Sequence, residues 1–304
     1  MSRLPLPTRT GRDLAGLVVV ITGGARGIGA ATAERFAAAG ASVALGDRDA
    51  DLVRRTAADL DARFPAATVV GGALDVTDRA SWDGFLAEVA HLGPVDVLVN
   101  NAGVMPLGPA LEEDDEVTRT ILDVNVVGVI HGTKAVGQAM VARGTGQIVN
   151  VASAVGRVAA AGGATYSASK FAVVGYTEAT RAELRPRGVE VGCVLPTVVL
   201  TELSAGVGAP RGVKPVTADD VAGVIEEMVR RPKPEMWVPR WSQGLAKGTQ
   251  MLPKAAQDAM AKALGADHVL SDADPAARAA YEARARDAHG AVAPAQESAP
   301  AVAD

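Results

Sequence analysis

The stretch LVVVITGGARGIGAATAERFAAAG, residues 17–40, decides the fold. Its first part, LVVVIT, is a continuous apolar run, the pattern of a strand buried on both faces. Gly23, Gly27 and Gly29 then punctuate a turn, and an Ala-rich helical pattern runs from about Gly27 to Ala39. Glycines in such a turn permit positive φ and let the backbone approach a phosphate closely. The helix that follows offers unpaired N–H groups and the positive end of its dipole to an anion. A glycine turn alone is a weak signal; between a buried strand and a helix it points to a dinucleotide pyrophosphate. The bland alternative is a tight turn with no ligand.

The same alternation continues along the chain. Short apolar runs, ASVALGD, ATVVGGALD, PVDVLVNNAG, GQIVNVAS, VEVGCVLP and PEMWVP, alternate with helical patterns. The helices are expected at about 50–63, through RASWDGFLAEVAHL, at 113–142, 166–185 and 218–230. Seven strands alternating with helices predict an α/β fold: a doubly wound (Rossmann) parallel sheet flanked by helices, its ligands at the carboxyl ends of the strands. Residues 15–240 form this catalytic domain, preceded by a flexible arm at 1–14. A helical C-terminal extension is expected over 241–268, its apolar face packed on the domain or on a partner subunit. Residues 269–304 carry Ala, Pro and charge with few large apolar side chains, and a disordered or weakly ordered tail, or a solvated helix, is expected there.

Composition narrows the function. The chain has 304 residues, 48% hydrophobic and 21% charged, with a net charge of −5 and only 3% aromatics. Neither the charge nor the aromatic content suits a nucleic-acid binder. The single cysteine, Cys193, lies in an apolar run and reads as a buried structural thiol. His91, His131, His268 and His289 have no carboxylate or cysteine partners at ligand spacing, so no metal site is expected. No run reaches the ~18 to 20 apolar residues of a membrane span. No signal peptide is recognised, and the expected location is the cytoplasm.

Asp47 ends the second strand, 18 residues beyond Gly29. A carboxylate there hydrogen-bonds a ribose 2′-hydroxyl and repels a 2′-phosphate, which favours NAD. Arg26 and Arg48 lie close enough in sequence to keep NADP open, and Asp47 also reads as a helix-capping residue. Further on, ATYSASKFAVVG places Tyr166 and Lys170 one helical turn apart on one face. A free phenol has a pKa of about 10, and a nearby ammonium favours its ionised form. Such a pair suits proton transfer in the interconversion of an alcohol and a ketone. Ser153, at the end of GQIVNVAS, is the candidate to hold the substrate oxygen. Each of these residues has an ordinary structural reading when taken alone.

Together, TGGARGIG, the NNAG of Asn100–Gly103, Asn125, Ser153 and YSASK from Tyr166 resemble the short-chain dehydrogenase/reductase family over about Leu17 to Pro239. The resemblance implies that Tyr166 is the general acid/base. It implies that Lys170 lowers the phenol pKa and holds the nicotinamide ribose, that Ser153 polarises the substrate oxygen, and that Asn125 holds a water in a proton relay behind Lys170. Cofactor contacts are implied for Gly23, Arg26, Gly27, Ile28 and Gly29 of the turn and for Asp47 and Arg48. They are implied also for Asp75 and Val76 at the adenine, Asn101, Ala102 and Gly103 along the cofactor, and Pro196, Val199 and Thr201 at the carboxamide. Thr197 departs from the family's usual Pro-Gly.

Substrate choice is expected from 200–215, a Gly- and Pro-rich segment able to act as a lid, and from residues near Met105 and 154–163. Val104, Met105, Val155 and Val207 give apolar walls, so an apolar secondary alcohol or ketone is the expected substrate. The small outer positions Ala168, Ala172 and Gly175 allow close helix approach, and a homodimer or homotetramer is expected. Two other readings are a catalytically silent dinucleotide-binding regulator and a membrane-surface or partner-docking protein using its C-terminal helix. The polar face of that helix is thin in Lys and Arg, and membrane association is not expected.

Overall fold

The structure is a computed structural model and describes residues 11–286. Its centre is a sheet of seven parallel strands in the order β3-β2-β1-β4-β5-β6-β9. These strands are β1 (Val18–Thr22), β2 (Ser42–Asp47), β3 (Val69–Ala73), β4 (Val97–Asn100), β5 (Gly146–Val151), β6 (Val189–Pro196) and β9 (Glu235–Val238). A separate pair, β7 (Val199–Leu200) and β8 (Val216–Thr217), flanks the segment between them. The helices are α1 (Gly27–Ala38), α2 (Ala50–Arg63), α3 (Arg79–Glu88), α4 (Asp115–Leu122), α5 (Gly128–Arg143), α6 (Ala164–Leu184) and α7 (Ala218–Arg230). The C-terminal part adds α8 (Ser242–Gln250), α9 (Lys254–Leu264) and α10 (Pro275–Arg286).

The pleat explains why the inner strands read as unbroken apolar runs. Val19 and Ile21 of β1, Val43 and Leu45 of β2 and Val97 and Val99 of β4 point to one face. There they meet Phe36 of α1, Leu60 of α2 and Ile225 of α7. Val20, Ala44 and Leu98 point to the other face and meet Trp82 and Phe85 of α3 and Met140 of α5. Both faces are covered, so both residue parities are apolar. The strand order reverses between β1 and β4, with Val20 opposite Leu98 in the register. That reversal is where an open α/β sheet presents its crevice. Away from that crevice, Cys193 of β6 is buried as expected, beside Leu195 and Trp237.

Three expectations are corrected. The helix expected over 113–142 is two helices, α4 and α5, joined through a π-helical turn at Asp123–Val127. Such a turn has no hydrophobic-period signal, because it adds one residue to a helix that otherwise continues. Residues 11–14 of the expected arm are packed: Leu14 is buried, and Arg12 N–H donates to Arg230 O at 2.9 Å. Residues 1–10 lie outside the described residues. Of the alternatives expected for the tail from 269, a disordered or weakly ordered segment or a solvated helix, the structure has a helix, α10, but a docked one: Arg278 and Ala285 are buried. Residues 287–304 also lie outside the described residues.

Candidate active site

One cavity of about 1190 Å³ runs along the carboxyl ends of the strands. Its floor is the glycine turn. Gly23 and Gly27 have φ of 66° and 57°. A Cβ on Gly23 would lie 2.9 Å from Ala102 Cα, and one on Gly29 would lie 2.1 Å from Gly23 O. The turn is therefore closed to side chains on its inner side. Asn101 braces it: its Nδ2 donates to Thr22 O at 2.9 Å and Gly23 O at 3.1 Å. Thr22 Oγ1 in turn accepts from the N–H groups of Asn101 and Ala102, both at 3.0 Å. The NNAG motif thus ties the end of β4 to the end of β1.

Gly23, Arg26, Gly27, Ile28, Asp47, Arg48, Asp75, Val76, Asn101, Ala102, Gly103, Pro196, Val199 and Thr201 all line this cavity. Gly29 is not among the lining residues; it lies under the turn against Gly23 O, so its part is packing. Asp47 ends β2 with both carboxylate oxygens turned to backbone amides, Oδ2 accepting from Ala25 N and Oδ1 from Asp49 N at 3.0 Å each. Arg26 is held by Asp49 at 2.7 Å and Glu202 at 3.1 Å. Glu202 also pairs with Arg284 of α10 at 2.7 Å, and Arg48 donates to Arg284 O at 3.4 Å. Asp75 Oδ1 is engaged locally by Thr77, while Val76 packs against Gly128.

Ser153, Tyr166 and Lys170 meet at the other end of the cavity. Ser153 follows β5, and its Oγ accepts from Val155 N and donates to Pro196 O at 3.4 Å. Tyr166 and Lys170 stand one turn apart at the start of α6, 7% and 5% exposed. Lys170 Nζ donates to Val151 O at 3.1 Å and sits 5.8 Å from the Tyr166 ring centroid. Burial pushes the Tyr166 phenol up to about 12, opposed by a hydrogen bond with Ser153. Burial also brings Lys170 down to about 8. The expected lowering of the phenol by Lys170 is therefore not what the site exhibits; desolvation of both groups wins.

Asn125 sits in the π-helical turn, fully buried, and is not on the cavity wall. Its Oδ1 accepts from Val104 N at 2.8 Å, and its Nδ2 donates to Val104 O at 2.9 Å and to Ser169 Oγ at 3.0 Å. This amide clamps the loop after β4 to α6. Gly103 passes through the gap: a Cβ there would lie 3.2 Å from Asn125 Oδ1 and 3.5 Å from Lys170 Nζ.

Thr197 also lines the cavity. Its N–H donates to Val238 O at 2.9 Å, and no non-glycine residue among those described has positive φ, so the departure from Pro-Gly carries no backbone strain. Its Oγ1 is buried without a hydrogen-bond partner among the described residues. A buried hydroxyl in that condition calls for a ligand partner. The closed glycine turn, the Asp47 carboxylate, the Lys170 ammonium and this hydroxyl along one cleft fit a nicotinamide dinucleotide.

The C-terminal part covers part of the substrate opening, one of the two positions its sequence leaves open to it. Tyr281, Arg284 and Ala285 of α10 line the same cavity as Tyr166, as do Leu264 and Leu270. The 200–215 segment is not a free lid. Arg278 donates to Leu203 O and Ala205 O, Asp274 N donates to Gly206 O, and Arg211 N donates to Leu264 O. A start signal was present: Asp274 caps the helix by accepting from Ala276 N at 2.9 Å, and Pro275 occupies its first position. Among the described residues no cluster of His, Cys, Asp or Glu can hold a metal ion, and no helix is long and apolar enough to cross a membrane.

The family model described as short chain dehydrogenase matches residues 17–211. Galactitol 2-dehydrogenase (L-tagatose-forming) of Cereibacter sphaeroides is 40% identical over 198 residues, 64% of this chain and 76% of that protein. The 1-deoxy-11-beta-hydroxypentalenate dehydrogenase of Streptomyces exfoliatus is 39% identical over 216 residues, 68% of this chain and 78% of that protein. A solved short chain dehydrogenase/reductase from Burkholderia phymatum in complex with NAD superposes with a TM-score of 0.71 at 27% identity. It covers 78% of this chain and 93% of its own.

Proposed function

The chain belongs to the short-chain dehydrogenase family, an oxidoreductase family acting on alcohol groups, and from that premise we propose that it interconverts a secondary alcohol and a ketone on a largely apolar substrate. The observation that carries the reading is the meeting of Ser153, Tyr166 and Lys170 in one cleft with the glycine turn. A bound nicotinamide dinucleotide supplies the hydride acceptor or donor. Tyr166 carries the matching proton, giving it to the ketone oxygen on reduction; on oxidation its phenolate, formed by prior release of that proton to solvent, takes the proton of the alcohol. With its phenol pushed up to about 12, Tyr166 is protonated at neutral pH and ready as the acid. Ser153 Oγ, beside that phenol, hydrogen-bonds the same substrate oxygen. Lys170 spends one N–H on Val151 O, and its remaining donors would hold the ribose hydroxyls of a bound cofactor. Asn125 keeps the Gly103–Val104 loop in place along the cofactor.

NAD is the preferred cofactor in this reading. The Asp47 carboxylate stands at the end of β2, and Arg26, the rival for a 2′-phosphate, is engaged by Asp49 and Glu202. The substrate end is lined by Val155, Val158, Val207 and Leu270, which supports an apolar skeleton over a polyol. Ala168, Phe171, Ala172 and Gly175 of α6 are exposed on one side of the helix, and we assign that face to the pairing of two subunits.

Tyr166→Phe tests the mechanism. It is expected to leave NADH binding within about two-fold while turnover of a secondary alcohol falls by about 10³-fold or more. Full activity in that variant, measured by NADH absorbance, would end the proposal.

A further inference from the structure

The residues assigned so far to proton transfer and cofactor binding lie within the 17–211 span, yet α10, which lies outside it, closes part of the same cavity. Arg278 of α10 is 3% exposed. Its guanidinium donates to Met105 O at 2.6 Å, Leu203 O at 3.1 Å, Ala205 O at 3.2 Å and Glu282 Oε1 at 2.9 Å. Met105 lies on the loop after β4, and Leu203 and Ala205 lie on the segment after β7. A buried cation whose donors are shared among three carbonyls of two loops is a fixed joint.

That joint holds a second phenol. The Arg278 guanidinium stands 5.1 Å from the Tyr281 ring centroid, and Met105 N–H donates to Tyr281 Oη at 2.6 Å. The ring is thus fixed over its face by a cation and at its tip by an amide. A phenol oxygen that accepts from an amide still has its own proton to give. No acceptor for that proton is found among the described residues, and the residue borders the cavity that holds Tyr166. The surrounding wall is apolar: Val155, Val158, Val207 and Leu270. In such a wall one fixed donor discriminates well, because a substrate lacking its acceptor leaves it desolvated and unpaired.

We infer that Tyr281 is a substrate-binding residue that donates to a second oxygen of the substrate, apart from the oxygen held by Ser153 and Tyr166, with Arg278 as its positioning residue. The substrate class is then an apolar secondary alcohol carrying one further oxygen, as a diol, hydroxyketone or hydroxyether. This assignment deepens the dehydrogenase reading and rests on it for the place of the first oxygen.

The test uses the full chain saturated with NADH, a complex in which an alcohol binds without reacting. It is titrated with trans-cyclohexane-1,2-diol and with cyclohexanol, and NADH fluorescence gives the two dissociation constants. The unaltered protein is expected to bind the diol about ten-fold more tightly, the effect of one well-placed hydrogen bond. Tyr281→Phe is expected to remove that preference while leaving the cyclohexanol and NADH constants within about two-fold. Equal binding of the two alcohols by the unaltered protein overturns the assignment, as does binding of neither. A preference that survives in Tyr281→Phe, or equal weakening of both alcohols, overturns it too. If Tyr281→Phe no longer binds NADH, Arg278→Lys decides. It keeps the charge without the fork and should shrink the preference, and an unchanged preference removes the assignment. Oxidation of a panel of secondary alcohols by NAD⁺ is read separately. A diol preference in binding without any turnover would sink the dehydrogenase reading and leave the Tyr281 contact standing.

Discussion

Lys170 is the residue at which stability and chemistry pull apart. Its ammonium is buried, and burial lowers its pKa from 10.5 to about 8. The unfolded chain therefore binds this proton more tightly than the folded one. Below about pH 8 the charged lysine costs the fold roughly 3 kcal/mol, and the cost shrinks as pH rises from about 8 towards 10.5. Loss of its hydrogen bond to Val151 O offsets part of what removing the charge gains. Lys170→Met is thus expected to raise Tm by ~2–4 °C at pH 7, with the gap closing by pH 9.5, while turnover falls by about 100-fold or more. Differential scanning calorimetry at the two pH values checks the sign. A lower Tm at pH 7 would contradict it.

Asp47 poses a different question at the same scale, because its carboxylate serves the backbone as well as a prospective ribose. Asp47→Asn removes the charge but keeps an acceptor for one of the amides of Ala25 and Asp49. The expected outcome is a shift of the NADPH-to-NADH affinity ratio towards NADPH by about ten-fold, measured by fluorescence titration of both cofactors. An unchanged ratio would take Asp47 out of cofactor selection.

Among the elements, those whose pattern follows one period were legible. The β1 run, the glycine turn and α1 were plain because a strand buried on both faces and a helix differ in length and branching. Tyr166 and Lys170 were plain because a helix fixes which residues share a face. The π-helical turn that seats Asn125 was not, since its hydrophobic pattern continues that of α4 and α5. α10 was misjudged because it carries little apolar surface. Its anchors are an arginine and a tyrosine whose backbone partners lie 73 to 176 residues away in sequence, and no local pattern records them. Arg278→Ala tests how much that joint holds. It leaves the carbonyls of Met105, Leu203 and Ala205 without their donor. Amide hydrogen exchange of 103–107 and 202–207 is expected to rise by about ten-fold or more, with the central strands unchanged. Unaltered protection in both loops would show that the joint is dispensable.

At the scale of the whole molecule, the exposed side of α6 is one surface, among the described residues, where small and apolar side chains lie open. Phe171 is 44% exposed on it, flanked by Ala168, Ala172 and Gly175. Small neighbours let a second helix approach closely, and an exposed aromatic residue among them is the apolar anchor such a contact uses. The unaltered chain is expected to sediment as a dimer or tetramer. Phe171→Glu is expected to lower the assembly state at micromolar concentration, with the circular dichroism spectrum retained. A monomeric unaltered chain in sedimentation velocity would dismiss the α6 interface.

The position of α10 in the chain also sets a timetable. Synthesis runs from the N-terminus, and domains fold as units as they emerge. The sheet from β1 to β9, with the glycine turn, Ser153, Tyr166 and Lys170, is complete by Val238. Arg278 and Tyr281 follow some forty residues later. A nascent chain can therefore have Ser153, Tyr166, Lys170 and the glycine turn brought together before the wall at Met105 and Leu203 is closed.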